Sequence, residues 1–435
     1  MTDNVVIIGG GIAGLSLAYH LHQLNIPYEL YEKEERVGGI NRSEMIAGCV
    51  FDYAPRLFLL KDQYATDLTV ELLGDNVHFL PFGDWSYHRK YNVYTRLPFQ
   101  KHMYGIPLHA VVRNLIGFLG TKLPNGKEPT SYQDWLYKNL GKPVADMIIA
   151  QESKKWKHDP VTMDYRWAPA RVPIPEFKDM LRGALANTKH ERNFGYTITG
   201  GIEALMKAFA SRLHESRIHV GAMLKSVDTN ERRVTFSNGE TAFYQKLVST
   251  MPLPILIERL TDVPEDIRQT ASKLKYISLK IAAIVVDRED VSDKNFIYVH
   301  DPEYIFHRVS IMSNLSDEIA PPDRSALVVE ITYIDEPLME DSALLQRVIH
   351  DLIDMQLLRK DDVILGMEML HLPIAYPMPT PDKIDNVEKI RQYLESIDIY
   401  LLGRFGEWEY VNMHDIIPRA RDLSVRLEQT YELPA

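Results

Sequence analysis

The sequence predicts an α/β protein with three parts: an N-terminal parallel sheet, an interleaved helical region, and a second, mostly antiparallel sheet. Residues 4–9 form a nearly continuous β-branched run, which is typical of a strand buried on both faces. Residues 12–25 then carry apolar side chains at helical spacing, and a second strand begins near residue 28. This order is a Rossmann-like βαβ unit, whose crossover we expect to be right-handed.

Helices and loops follow from apolar spacing and from proline content. The spacing predicts helices at 62–74, 108–119, 130–155, 202–214 and 341–355. Residues 159–177 are rich in proline and are interpreted as a loop. A last helix is expected within 412–431, and Pro418 should start it or kink it.

Strands are predicted in three later groups. Short strands alternate with turns from 217 to 251, and Asn238-Gly239 between two of them is a strong hairpin signal. Residues 276–287, 296–313 and 325–334 should form a second sheet. Residues 399–403 are interpreted as another buried strand.

No repeat or low-complexity linker separates these groups, so the domains are predicted to be interleaved. We expect one discontinuous domain from residues 1–80, 195–255 and 396–435, which contains the βαβ unit. Residues 101–194 should form a mainly helical cap, and residues 81–100 with 256–395 an antiparallel-sheet domain. Both of these would face the substrate.

Composition excludes several classes of function. The 435 residues carry a net charge of −11, which argues against a general nucleic-acid-binding role. Cys49 is the only cysteine, so an intramolecular disulfide and a cysteine metal site are both excluded. HExxH and GxSxG are absent, and no metal site is expected. With no leader-like start and no transmembrane run, a cytoplasmic protein is expected by default.

Gly9, Gly11 and Gly14 form a G-x-G-x-x-G motif directly after the first strand and at the start of the first helix. The glycines allow a tight turn, close approach of the backbone to a pyrophosphate, and close helix–strand packing. The helix N-terminus directs N–H groups at the phosphates. Glu32, at the end of the second strand, suits the adenosine ribose hydroxyls and would repel a 2′-phosphate, which disfavours NADP.

A glycine doublet sharpens this prediction to FAD. Gly38 and Gly39 follow the acidic residue and let the chain pass close under the second phosphate, as is typical of FAD proteins. Lys33 lies beside Glu32 and is included among the expected cofactor contacts. The predicted fold is therefore a Rossmann-like FAD-binding domain of the GR2 type.

The rest of the chain resembles a known family nearly from end to end. The N-terminus is similar to the FAD superfamily of amine oxidases, protoporphyrinogen oxidases and UDP-galactopyranose mutases, and the remainder looks most like the mutases. The stretches that carry this resemblance are LPFQ (97–100), KKWKHDP (154–160), ARVPIP (170–175), GYTITGGIEALMKA (195–208), YQKLVSTMPL (244–253), FHRVSIMSN (306–314), AYPMPTP (375–381) and GRFGEWEYVNMHD (403–415).

The resemblance implies a reaction in which the reduced flavin acts as a nucleophile. In the mutases, flavin N5 attacks the anomeric carbon of a nucleotide sugar and displaces the nucleoside diphosphate. The sugar then opens and recloses as a furanose before the diphosphate reattaches. A nucleoside-diphosphate sugar as substrate, a reductant (reduced nicotinamide or a flavin reductase) and a role in cell-surface polysaccharide synthesis are implied. The oligomeric state is left open.

The resemblance also assigns roles to individual residues. Arg171, Arg308, Tyr376 and Tyr410 match the family's diphosphate anchors, and cationic and hydroxyl groups suit a departing and returning diphosphate. Trp156 matches a tryptophan near the substrate, although a core aromatic is an equal alternative.

Four further residues are implied to contact the cofactor. Arg404 matches the residue that meets the FAD pyrophosphate, and Val227 should offer its backbone to adenine. Asn412 and Met413 open the last helix, whose N-terminus would stabilise negative charge on the reduced flavin. Asn412 is also an ordinary N-cap residue, so its role in the helix stands on its own.

Arg56 is the largest departure from the family pattern. It stands in the run Asp52-Tyr53-Ala54-Pro55-Arg56, where the mutases carry a histidine beside the flavin. Arginine does not act as a general base, but it can stabilise flavin charge or bind a carboxylate on an altered sugar. Three hypotheses therefore stay open: a nucleotide-sugar mutase, an FAD-dependent oxidoreductase of an amine or porphyrinogen, and a flavin-binding accessory protein without turnover.

Overall fold

A computed structural model describes residues 4–53, 55–81, 83–123, 128–187, 193–334 and 339–430. Its strands, in chain order, are β1 Val5–Ile8, β2 Tyr28–Tyr31, β3 Ser43–Ile46, β4 Cys49–Asp52, β5 Phe58–Leu59, β6 Val77–Pro81, β7 Asp84–His88, β8 Val93–Arg96, β9 Asn193–Thr197, β10 Ile218–His219, β11 Leu224–Asp228, β12 Arg233–Phe236, β13 Thr241–Phe243, β14 Lys246–Ser249, β15 Tyr276–Val286, β16 Phe296–Val299, β17 Arg308–Ile311, β18 Ser325–Tyr333, β19 Ile364–Pro377 and β20 Ile399–Leu401.

Helices connect and cover these strands. In chain order they are α1 Ile12–Gln23, α2 Gln63–Leu73, α3 Leu108–Gly120, α4 Tyr132–Leu140, α5 Lys142–Trp156, α6 Phe177–Leu185, α7 Glu203–Ala210, α8 Leu253–Arg259, α9 Glu265–Ala271, α10 Asp341–Asp354, α11 Lys383–Ser396, α12 Gly403–Gly406 and α13 Met413–Thr430. Among the described residues, no helix has both the length and the apolar character needed to cross a bilayer.

The cofactor-side sheet has the strand order β10-β2-β1-β14-β20 and is parallel throughout. Val5 and Ile7 of β1 pack on α1, α2, α7 and α13, while Val6 and Ile8 face β11–β13 and helices α8, α9 and α11. Both faces are therefore covered, which explains the unbroken β-branched run. The strands come from separated parts of the chain, and the division into three domains stays a prediction.

The second sheet has seven strands in the order β19-β15-β18-β17-β16-β7-β8. Its pairs are antiparallel except β16 with β7, which is parallel. One face packs on helices α3–α6 and the other on α10. This agrees with the predicted mixed α/β fold and mostly antiparallel second sheet.

Two predicted elements were wrong in their extent. The helix expected at 130–155 is two helices, α4 and α5, because Gly141 between them has a φ of 74°. A Cβ at Gly141 would lie 2.2 Å from the carbonyl oxygen of Gly117, so a side chain cannot be accommodated there. The strand expected at 296–313 is two antiparallel strands, β16 and β17.

Other predicted elements are confirmed. The Asn238-Gly239 turn joins the antiparallel strands β12 and β13. Pro418 lies inside α13 rather than at its first residue. The last residues of the predicted final helix, from 431 onward, lie outside the described part of the chain.

Candidate active site

A cavity of about 780 Å³ runs from the glycine loop after β1 to the edge of the seven-stranded sheet. Its wall includes the N-terminal ends of α1 and α13, the end of β2, the start of β7 and parts of β16, β17 and β19. A concave site of this size suits a cofactor together with a small ligand. The residues that approach it come from most of the length of the chain.

Tight backbone packing forms the glycine-loop end of the cavity. Gly9 has a φ of 106°, and a Cβ at Gly14 would lie 1.9 Å from the carbonyl oxygen of Gly9. Gly38 donates its N–H to the Gly10 carbonyl at 2.8 Å, which holds the glycine doublet against the first loop. A Cβ at Gly39 would lie 3.2 Å from the Gly11 Cα. Side chains at these positions would not fit between the two loops, which is the arrangement expected of a pyrophosphate-binding loop.

Glu32 lies at this end with its carboxylate held by backbone donors. The Gly10 N–H donates to one oxygen at 2.6 Å, and the Glu34 N–H donates to the other at 3.0 Å. A carboxylate accepts about four hydrogen bonds, so lone pairs remain for ribose hydroxyls. Lys33 also lines the cavity and forms an exposed ion pair with Glu34 at 3.1 Å.

Two helix N-termini open onto the cavity. Ile12 and Ala13 of α1 line it beside the glycine loop, and Asn412 and Met413 line it at the start of α13. The Asp415 carboxylate accepts the Asn412 N–H at 2.9 Å, which fixes the first turn of α13. Each N-terminus places a partial positive charge at the cavity wall.

Arg404 is buried between these two helices. Its Nε and one Nη donate to the Val411 carbonyl at 3.0 and 2.7 Å, while the other Nη is buried and has no hydrogen-bond partner among the described residues. The preceding Gly403 has a φ of 81°, and a Cβ there would lie 2.6 Å from the Ala13 Cβ. The guanidinium of Arg404 is therefore held next to the start of α1 with one donor unused.

Tyr410 lies in the cavity wall and is surrounded by cations. Three cations lie against its ring: Lys155 Nζ is 4.7 Å from the ring centroid, and the guanidinium carbons of Arg171 and Arg404 are 4.8 and 4.6 Å from it. Arg171 also donates to the Tyr410 carbonyl. Burial opposes ionisation of the phenol, but Lys155, Arg404, Arg171 and Arg308 outweigh it and lower the pKa of Tyr410 to about 7.

Little negative charge balances this cluster of cations. Within the part of the chain that the structure describes, Lys155, Arg171 and Arg404 form no ion pair with a carboxylate. Unbalanced cations held close together cost free energy unless an anion joins them. The cluster therefore carries positive charge that no carboxylate among the described residues balances.

Arg308 differs from these three cations because it forms an ion pair with a buried carboxylate. Its Nε donates to the buried Glu330 carboxylate at 2.7 Å, and one Nη donates to the same oxygen. Its other Nη lies 3.5 Å from the Tyr298 hydroxyl, and Tyr376 donates to Glu330 at 3.4 Å. Glu330 thus fixes Arg308 and Tyr376 as one unit. The sequence analysis missed Glu330, whose only signal is a lone acid within a hydrophobic strand.

Arg56 lies in the cavity wall without an acidic partner among the described residues, and its buried Nε has no hydrogen-bond partner there. Burial and the neighbouring Arg404 lower the pKa of Arg56 to about 9. The side chain still stays cationic at neutral pH. The structure therefore brings Arg56 to the site as a fixed positive charge.

Four predicted residues do not line the cavity: Gly14, Trp156, Arg171 and Val227. Val227 is fully buried, its carbonyl accepts the Thr261 N–H at 2.9 Å, and it pairs with Val234. The expected adenine contact at Val227 is thus wrong, and Ala222, Met223 and Leu224 reach the cavity instead.

Trp156 lies one layer behind the cavity wall. Its ring centroid is 5.8 Å from that of Tyr410 and 6.0 Å from that of Tyr376, and its Nε1 donates to Glu152 at 2.6 Å. It supports both tyrosines rather than facing the cavity. Lys155, its neighbour on α5, was missed because a lysine beside another lysine is ordinarily a solvated residue.

Comparisons with known proteins agree with this geometry. A family model described as an NAD(P)-binding Rossmann-like domain matches residues 7–72, and one described as flavin containing amine oxidoreductase matches residues 170–362. Human protoporphyrinogen oxidase and its counterpart from Macaca fascicularis are each 27% identical over 266 residues. Those matches cover 51% of this chain and 53% of each relative, so the chain spans about half the length of these relatives.

Solved structures show the same fold over nearly the whole chain. A crystal structure of reduced UDP-galactopyranose mutase superposes with a TM-score of 0.92 at 22% identity, covering 99% of this chain and 94% of that one. A putative protoporphyrinogen oxidase from Exiguobacterium sp. 255-15 gives a TM-score of 0.77 at 17% identity, covering 99% of each chain. The family models confirm the resemblance to the flavin-dependent superfamily of amine oxidases and protoporphyrinogen oxidases, and the solved structures show that the fold is that of the mutase.

Proposed function

We propose that the protein is an FAD-dependent nucleotide-sugar mutase that interconverts pyranose and furanose rings. The observation that carries this proposal is the cluster of unbalanced cations around Tyr410, a residue of the cavity wall. A diphosphate carries the charge that this cluster lacks. The ligand's sugar would then extend from the cluster toward the middle of the cavity.

The residues present fit FAD. The glycine loop and the doublet Gly38–Gly39 leave a narrow backbone cradle for the pyrophosphate, and Arg404, which follows Gly403 beside Ala13 of α1, would direct its unused donor to it. Glu32 would accept the ribose hydroxyls, and the N-terminus of α13 would face the flavin at Asn412 and Met413. When bound and reduced, the flavin would supply the nucleophile that displaces the diphosphate.

The chain's own residues would hold the diphosphate while the ring rearranges. Arg171 and Lys155 would bind it from the outer side of Tyr410, and Arg308 from the inner side. Glu330 keeps Arg308 and Tyr376 in one orientation, which would return the diphosphate to the same face of the sugar. Arg56 would stabilise negative charge on the reduced flavin.

Conversion of a nucleotide sugar by the reduced protein tests this proposal. The FAD-loaded protein, reduced with dithionite under argon, is incubated with UDP-, GDP- and dTDP-linked hexopyranoses, and the products are separated by chromatography. We expect a furanose isomer of the same mass from at least one donor, and none from the oxidised protein. A physiological reductant, either reduced nicotinamide or a flavin reductase, would replace dithionite.

The alternative is an FAD-dependent oxidoreductase, which the sequence similarity to protoporphyrinogen oxidases favours. It predicts that an amine or porphyrinogen bleaches the flavin without dithionite and that oxygen is then consumed. Such turnover, together with no furanose product from any donor, would replace the mutase proposal. Absence of both activities would favour the accessory role, although the cations around Tyr410 are not paired off as that role requires.

A further inference from the structure

Asp84 is a carboxyl group in the cavity wall to which the proposed function gives no role. It begins β7 and pairs in parallel register with Phe296 of β16, which also lines the cavity. Among the described residues, its carboxyl group makes no hydrogen bond or ion pair, while its backbone carbonyl accepts the Leu97 N–H at 3.0 Å. The strand is therefore fixed, and the side chain is left free for a ligand.

The surroundings explain why this acid remains without a partner. The charged and titratable groups that act on it are Arg308 from β17 and the Tyr298 phenol from β16. The charge of Arg308 is already balanced by Glu330 at 2.7 Å, so little attraction remains for Asp84. On the β8 side, Arg96 stacks on the ring of Trp85 at 4.6 Å, and Trp85 points to the other face of the strand.

The other charged and polar groups of the cavity wall differ from Asp84 in their position or in their partners. The guanidiniums of Arg56, Arg308 and Arg404 keep their protons. Glu32 is held by backbone donors at the glycine-loop end, and His371 is paired with Asp341 at 2.8 Å. Tyr410 lies within the cluster of cations that includes Lys155 and Arg171. Burial raises the pKa of Asp84 to about 7 against the opposing effect of Arg308, so both of its forms are accessible.

We propose that the Asp84 carboxyl group contacts the sugar of the bound nucleotide sugar and exchanges a proton with its ring oxygen and with the hydroxyl that forms the new ring. This deepens the proposed function and rests on it. Asp84 lines the same cavity as Arg308 and is close enough for the Arg308 charge to act on it, so a sugar attached to a diphosphate at Arg308 would come within its reach.

The proton exchange balances over one ring rearrangement. As the bond from the anomeric carbon to the ring oxygen breaks, its electron pair goes to that oxygen, which takes the proton of the Asp84 carboxyl group. The nucleophile of the proposed reaction supplies the electron pair that the carbon loses. When a second hydroxyl oxygen attacks the same carbon, its proton passes to the Asp84 carboxylate. No net proton is consumed and nothing is oxidised or reduced.

A binding experiment separates the sugar contact from the diphosphate contact. UDP and UDP-galactopyranose are titrated into the oxidised, FAD-loaded protein, and flavin fluorescence is followed. For Asp84→Asn we expect UDP affinity to stay within about twofold and UDP-galactopyranose affinity to fall about tenfold, the size of one hydrogen bond. Asp293→Asn is the matched control, because Asp293 is exposed and pairs with Lys294 at 2.5 Å.

Turnover of the reduced protein provides the second readout. General acid–base groups contribute about 100-fold or more, so kcat of Asp84→Asn should fall by at least that factor. The wild-type kcat should decline as the pH rises through about 7, since the protonated carboxyl is the donor, and this decline should be reduced in Asp84→Asn. Asp84→Glu, which still ionises, should recover part of the rate.

The outcomes are distinct. Unchanged UDP-galactopyranose affinity and an unchanged pH profile in Asp84→Asn, with active wild type, would overturn the role of Asp84 and leave the mutase proposal intact. Equal losses of affinity for UDP and UDP-galactopyranose would also overturn it, because they would show that Asp84 contributes to binding of the nucleoside diphosphate and not of the sugar. A wild-type protein that binds neither ligand would overturn both proposals.

Discussion

The two ends of the cavity are built in opposite ways. At the glycine-loop end, residues close in sequence set the geometry, and the main constraint is backbone against backbone: Gly14 against Gly9, and Gly39 against Gly11. At the Tyr410 end, the cations come from α5, from the loop before α6 and from α12, and each of them contacts the Tyr410 ring. The first arrangement leaves no room for side chains, whereas the second concentrates positive charge.

This difference shows which part of a site can change between related proteins. A side chain at Gly14 would displace the backbone of the adjoining strand, so the cofactor end tolerates little variation. Around Tyr410, a cation added or removed alters the ligand's affinity while the fold stays the same. Related proteins are therefore expected to share the cofactor-binding fold and to differ in the reactions that they catalyse.

The largest effect is expected from a substitution that disrupts the backbone packing of the glycine loop. In Gly14→Ala, the new Cβ would meet the Gly9 carbonyl oxygen at 1.9 Å, so α1 must move away from β1. We expect protein purified without bound flavin, measured as flavin absorbance per chain, with circular dichroism checking that it is folded. Gly120→Ala is the control, since a Cβ there meets nothing within 4 Å. Full flavin occupancy in Gly14→Ala would contradict the packing argument.

The next largest effect is expected from removing one of the cations around Tyr410. Lys155→Met removes one of the unbalanced cations, and a charged hydrogen bond is worth about 1.5–3 kcal/mol, so the Kd for UDP should rise about 10- to 100-fold. Isothermal titration calorimetry of the FAD-loaded protein measures this. Lys142→Met is the matched control at the other end of α5, where Lys142 pairs with Asp146 on the surface at 3.0 Å. An unchanged Kd in Lys155→Met would remove Lys155 from the proposed anion site.

The same contrast separates what the sequence could predict from what it could not. The βαβ unit, the glycine contacts and the Asn238-Gly239 hairpin depend on neighbours in sequence, and all were predictable. The pairing of Arg308 with Glu330 joins two strands of a sheet whose register the sequence does not specify. Arg171 and Arg308 were found through resemblance alone. Lys155 and Asp84 carry no local signal, because their roles arise only when distant elements meet.

A pH titration sharpens the description of the charged end. The four cations lower the pKa of Tyr410 to about 7, so its phenolate is populated as the pH rises above that value. The phenolate neutralises the cations and repels a diphosphate, so the affinity for UDP should decline by several-fold between pH 6 and about 8.5. In Tyr410→Phe this decline should be reduced, whereas Asp293→Asn, at an exposed residue that pairs with Lys294, should keep the wild-type decline. Equal pH dependence in wild type and Tyr410→Phe would contradict this cause.

The smallest effect concerns α13, the helix whose N-terminus faces the cavity between the two ends. Asp415→Ala removes the acceptor of the Asn412 N–H at 2.9 Å, and loss of such a helix cap costs about 1 kcal/mol. Urea unfolding of the FAD-loaded protein should show that decrease in the free energy of unfolding. Asp422→Ala, later in the same helix and paired only with its neighbour Arg421 among the described residues, should change it by less than about 0.5 kcal/mol. Equal effects in the two variants would mean that the first turn of α13 is held by its packing against α1, and the cavity wall at Asn412 and Met413 would then not depend on the cap.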